Sequence, residues 1–161
     1  MWFHKLVATS LGIGYINKGK GAGTAAAVAC CFVWWLCWRG GYPPLISSVT
    51  ITIFILLIGV WSSNIIVGAK IWKDENDPND PHRVVIDEVA GMCVSLLFVP
   101  DTIIYCAIAL GLFRLFDIYK PFWIKKMEKL PGGWGIMMDD VLAGIYTNIL
   151  LQIVVYFKLL G

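Results

Sequence analysis

From Leu45 to Val67 the chain runs without a single charged residue. A helix that crosses hydrocarbon needs roughly 20 predominantly apolar residues, and this run is long enough. The rest of the chain agrees with a membrane setting. Of 161 residues, 58% are hydrophobic and only 15% charged, and the mean hydropathy is +0.73. Soluble domains carry about 25% charged residues. So small a polar supply cannot cover a water-facing surface. The sequence therefore predicts an all-α, polytopic integral membrane helical bundle, a single domain over residues 1–161.

Four weaker apolar segments join the clear one: Thr24–Trp38, Val84–Val99, Thr102–Tyr119 and Asp139–Phe157. The expectation is about five membrane-embedded helices. Trp34, Trp35 and Trp38 mark an interface at the end of the first. Residues 1–16 are read as one further helix, spanning or lying in the interface. No signal peptide is read at the N-terminus, so targeting falls to the membrane segments. With the N-terminus inside, ten basic residues fall on the inner side and only Arg39 and Lys158 outside; Arg114 lies within a span. This asymmetry follows the positive-inside rule. The expected arrangement is multi-pass, with the polar motifs at the cytoplasmic face.

One stretch argues superficially for something else. Gly14, Gly19 and Lys20 fit G-x-x-x-x-G-K, but Gly21 stands where a Ser or Thr should hold magnesium. Val84-Val85-Ile86-Asp87-Glu88 imitates a Walker B strand. A P-loop joins a strand to a helix in a soluble sheet, which this composition disfavours, so Ile86-Asp87-Glu88 reads as the start of a membrane helix. The net charge of +2 is too small to suggest nucleic acid. Cys30, Cys31, Cys37, Cys93 and Cys106 form no CxxC pair and lie in apolar stretches, where they read as packing residues.

The acidic residues carry the chemistry. Asp87, Glu88, Asp117, Asp139 and Asp140 sit inside or at the ends of apolar spans, where an ionisable group is costly. Carboxylates gathered in a small volume repel unless a cation or protons neutralise them, and an oxygen-ligated ion such as magnesium would do so. Asp87-Glu88-Val89-Ala90-Gly91 and Asp140-Val141-Leu142-Ala143-Gly144 each set a carboxylate four residues before a glycine. On a helix these share a face, and small residues permit close helix approach in a membrane. Adjacent carboxylates point about 100° apart, so one of Asp139 and Asp140 ligates while the other caps or orients. Plainer readings stand beside this one. Asp139 and Asp140 suit a helix N-cap, and Asp117 suits an i, i+3 pair with Arg114.

The basic residues suit a phosphate. Arg114, Asp117 and Lys120 step by three along one helical face, and Pro121 ends that helix. Lys20 lies in a glycine-rich turn, with Thr24 as the expected N-cap of the helix that follows. His82 and Arg83 add charge before Asp87, after a turn over Asp77–Pro81. Gly132-Gly133-Trp134-Gly135 leads into the last helix, with Trp134 at headgroup level.

In combination, these motifs resemble the phosphatidylglycerophosphatase A family of magnesium-dependent bacterial membrane phosphatases. The matching stretches are Gly19–Thr24, Ile86–Gly91, Phe113–Pro121 and Gly132–Gly144, in the family's order over about residues 14–145. The family usually has Ala-Pro-Gly-Thr where this chain has Gly21-Ala22-Gly23-Thr24. The resemblance implies hydrolysis of the terminal phosphomonoester of phosphatidylglycerophosphate, a membrane phospholipid, to phosphatidylglycerol and inorganic phosphate. It implies Mg2+ held by Asp87, Glu88, Asp117, Asp139 and Asp140, with Asp87, Glu88, Asp117 and Asp140 catalytic. The phosphate would be bound by Lys20, Thr24, Arg114 and Lys120. One carboxylate acts as base or, alternatively, as nucleophile. Two rival readings are an ion-coupled transporter, whose charges should spread through the bilayer depth, and a phosphatase acting on another lipid phosphate. The number of ions and the oligomeric state stay open.

Overall fold

Pro44 sets where the uncharged run becomes helical. A proline has no N–H to lend to a ladder, but it fits the start of one. The computed structural model describes residues 1–19, 21–38, 42–71 and 83–157. Directly after Pro44, α3 runs Leu45–Gly68. Two of its hydroxyls turn back on their own backbone: Ser48 donates to the Pro44 carbonyl at 2.9 Å and Thr52 to the Ser48 carbonyl at 2.8 Å. An apolar helix can hold these two residues because their donors are met within it.

The other elements are α1 (Trp2–Ala8), a 3-10 helix (Ile13–Gly19), α2 (Ala22–Trp38), α4 (Ile86–Leu96), α5 (Ile103–Tyr119), α6 (Ile124–Met127) and α7 (Gly133–Tyr156). No strand occurs among the described residues, so the chain is all-helical. Residues 1–16 do not form the single helix expected. The Thr9 hydroxyl donates to the Lys5 carbonyl and accepts from the Gly12 amide, and Ser10, Leu11 and Gly12 take positive φ. Together these close α1 at Ala8 and turn the chain.

The expectation of about five membrane-embedded helices is met in part. Among the described residues, two helices are long and apolar enough to cross a membrane, α3 and α7; α2 is a shorter apolar helix. α4 has 11 residues, about 16 Å at 1.5 Å per residue, against roughly 30 Å of hydrocarbon. Its end is built rather than frayed. Leu97 is extended and Phe98 left-handed, just before Pro100. The carbonyls left over are satisfied from α7. Asn148 donates to Ser95 and Leu97, and Gln152 to Leu97 and Phe98, at 2.7–3.2 Å. α7 itself begins at Gly133, six residues before the expected Asp139, because the Asn64 side chain of α3 accepts from the Gly133 amide at 2.7 Å.

α4 is the hub, packed against α2, α3, α5 and α7. Its contact with α7 is a backbone contact. A Cβ on Gly144 would strike the Gly91 carbonyl, and one on Gly91 would meet the Asp140 carbonyl and the Phe113 ring. Gly111 on α5 faces open space instead. The two glycines should therefore respond with opposite sign to the same change. Gly111→Ala should raise stability by up to about 1 kcal/mol through helix propensity. Gly144→Ala should lower it by about 1–3 kcal/mol through overpacking. Thermal unfolding of both variants in detergent micelles checks this, and a stabilised Gly144→Ala would show that the helices do not touch there.

Candidate active site

Three helices bring acids to one recess. The first turn of α4 carries Asp87 and Glu88, where negative charge suits the helix N-terminus. The second turn of α7 carries Asp139 and Asp140, both buried. The last turn of α5 carries Asp117. These five carboxylates line a cavity of about 220 Å³ together with Arg114, Lys120 and the glycines that open α2.

Asp87, Glu88 and Asp140 form its centre. Each offers an oxygen, and all three atoms lie within 4.8 Å of one another. Asp117 lines the recess beside Asp140. It also pairs with Arg114 at 2.5 Å, and the same guanidinium lies 3.9 Å from Glu88. The i, i+3 pair read as the plain alternative is thus present, and it lines the recess as well.

Asp139 and Asp140 separate as adjacent helix positions must. Asp140 joins the central trio, whereas Asp139 accepts from Lys120 at 2.7 Å. Neither is an N-cap, since α7 starts six residues earlier. Lys120 adopts the left-handed conformation that closes α5, φ 44° and ψ 55°. There its ammonium bridges Asp139 and Glu128, the latter at 2.5 Å. Burial acts to lower the Lys120 pKa, but the charge and hydrogen bond of Asp139, with those of Glu128, more than reverse this, so it stays cationic.

The glycine-rich turn contributes backbone. Gly21 has φ +73°, a conformation suited to glycine. Its carbonyl takes the first helical bond of α2, from the Ala25 amide. Thr24, expected as the N-cap, is instead an exposed residue inside α2 and does not line the recess. A Cβ on Gly23 would overlap the Glu88 carboxylate, so this glycine lets α2 begin against the acids. Lys20, His82 and the turn expected at Asp77–Pro81 lie outside the described residues.

Sequence reasoning missed one contributor, Glu128, and one buried acid away from the site, Asp101. Glu128 sits in a run with Lys125, Lys126 and Lys129; only its being the one acid there hinted at a partner. Asp101 is also buried, but at the opposite end of α5, where it accepts from Cys106.

The donor set can be tested against an ion. Among the described residues, five carboxylates meet two cationic side chains in the recess, and Glu88 Oε2 is buried without a hydrogen-bond partner. Carboxylate oxygens alone, with no thiol or imidazole in the trio, suit a hard divalent cation of the magnesium or calcium type rather than zinc. The residues therefore fit such an ion, with cations alongside for an anionic substrate.

Comparison with known proteins points the same way. Residues 6–155 match the family described as Phosphatidylglycerophosphatase A. A protein of Bacteroides thetaiotaomicron named "Putative phosphatidylinositol-3-phosphatase" is 36% identical over 92% of this chain and 91% of its own length. The Phosphatidylglycerophosphatase A of Haemophilus influenzae is 42% identical over 50% of this chain and 51% of its own. That of Escherichia coli K12 is 34% identical over 43% and 41%. No solved structure matches. With a match that runs nearly end to end, the chain belongs to the phosphatidylglycerophosphatase A family of lipid phosphatases.

Proposed function

We propose that the recess is where phosphatidylglycerophosphate loses its terminal phosphate, with a magnesium ion held by Asp87, Glu88 and Asp140. One observation carries this reading: three carboxylate oxygens within 4.8 Å of one another, beside Arg114 and Lys120. When bound, the ion offsets charge on the phosphoryl oxygens. The chain's own residues do the rest. Arg114 and Lys120 bind the phosphate, with Lys20 expected to join them. Asp117 and Glu88 orient Arg114, while Asp139 and Glu128 hold Lys120 in place. Asp117, the recess carboxylate outside the trio and not paired with Lys120, accepts the proton of the attacking water.

The setting is a bundle embedded in the cytoplasmic membrane. Large apolar side chains point outward along it, among them Phe32, Phe54, Leu57 and Ile149; soluble monomers rarely expose so much apolar surface. The basic residues Lys70, Arg83, Lys125 and Lys126 flank the helix ends nearest the recess, which supports a cytoplasmic site. A phosphoinositide with a ring phosphate is a second reading, favoured by the name of the relative that matches over nearly the whole length.

Phosphate release in detergent, from phosphatidylglycerophosphate and from phosphatidylinositol 3-phosphate in parallel, separates the two. Release from the first should dominate, require magnesium and stop with EDTA; the reverse preference would move the substrate to the phosphoinositide. Asp87→Asn and Asp140→Asn should abolish turnover and also the thermal stabilisation that magnesium gives the wild type. Asp117→Asn should lose about 10²–10⁴-fold in kcat and keep that stabilisation. If Asp117→Asn loses both, it is a ligand and not the base.

Glu128→Gln keeps the shape and removes the charge that braces Lys120. It should raise KM for the lipid more than it lowers kcat, because Lys120 then holds the phosphate less firmly. An unchanged KM in steady-state assays would remove Glu128 from this role.

A further inference from the structure

The start of α2 and the end of α5 both line the recess, with α4 and α7. Between α2 and α5 runs an apolar groove of about 250 Å³. Val28, Phe32 and Trp35 form its α2 wall, and Ile103, Ala107 and Leu110 its α5 wall. The floor is closed by two buried cysteines, with Cys31 donating to the Cys106 carbonyl at 3.7 Å. No charged residue lines the groove.

Resting on the proposed function, we propose that this groove holds one acyl chain of the lipid substrate and so makes the enzyme select a chain-bearing phosphomonoester. The groove is in line with the recess. Leu110 precedes Arg114 by one turn, about 6 Å, and Ile103 lies about 16 Å below it. Val28 follows Gly23 by five residues on the facing helix. A phospholipid whose phosphate meets Arg114 and Lys120 thus has its glycerol at the rim and a chain running down the same seam. Charge is complementary along this line, with cations at the top and hydrocarbon below. The larger apolar hollow beside Asn148, Gln152 and Tyr156 lies toward the other end of α7 from Asp140, out of reach of a headgroup in the recess. A second copy of the chain is a poor occupant. The groove is framed by eight residues, whereas a stable interface takes about 800 Å² from each partner.

The test uses full-length protein in detergent, with phosphatidylglycerophosphate bearing long or six-carbon acyl chains. Ala107→Trp fills the groove from its lipid-facing edge, and Val28→Trp does so from the other wall if the first variant folds poorly. Either should lower the long-chain to short-chain ratio of kcat/KM by at least about tenfold. Leu57→Trp, on the outer face of α3, should leave both rates unchanged. A ratio that stays constant in the groove variants overturns the proposal. A second readout is independent of turnover. Phosphatidylglycerophosphate with a diazirine in one chain should label residues 28–35 and 103–110 on irradiation, and label them less in Ala107→Trp. Equal labelling by a diazirine phosphatidylcholine would show general lipid contact and overturn the proposal, as would labelling across a dimer contact. If the wild type releases phosphate from neither chain length, the proposed function falls, while the labelling pattern still decides the groove.

Discussion

The contact of α4 with α7 at Gly91 and Gly144 sets the distance between acids. Without side chains at these positions the backbones meet, and a Cβ on either would force them apart. Asp87 and Glu88 lie one turn before Gly91, and Asp140 one turn before Gly144. The same close approach therefore decides whether their oxygens share a centre. In hydrocarbon no hydrophobic force pulls helices together, so packing of small residues takes that part. Here the packing device and the candidate ligand set are the same two five-residue stretches, and neither can move without the other.

Such a cluster is costly when left alone, and the surrounding residues show how the cost is shared. Arg114 reaches both Asp117 and Glu88, which ties α5 to α4. Lys120 reaches Asp139 and Glu128, which ties the end of α5 to α7 and to the segment after α6. A lysine rarely takes left-handed backbone geometry. Here that geometry ends α5 before Pro121 and turns the ammonium back toward α7. Among the described residues, two cations still leave the recess acidic, and that remaining excess is what a divalent ion would neutralise.

Much of this was legible in the sequence because it depends on local pattern. The apolar runs marked α2, α3, α5 and most of α7, and the four-residue spacing from carboxylate to glycine marked the shared face. What escaped were features made by residues distant in sequence. Gly132-Gly133-Trp134-Gly135 reads as a loop by its glycines. It forms the first turn of α7 because Asn64 supplies the missing acceptor and α3 lies too close for a side chain at Gly133. The early end of α4 depends likewise on Asn148 and Gln152, and no local signal ties them to Leu97. Thr24 looked like a cap by residue type, yet Gly21, with its positive φ, already starts the helix.

The short α4 and the long α7 together determine the depth of the site. Both start at the same end of the bundle, but Asp140 is the eighth residue of α7 and Asp87 the second of α4. The acids thus lie about 10 Å below the first residue of α7. On the opposite side α2 begins and α5 ends at the recess. α7 therefore extends past the acids, whereas α2 begins and α5 ends beside them. On the proposed reading, a lipid whose tails stay in the bilayer would bring its phosphate in between α2 and α5, and the apolar groove lies between those same two helices.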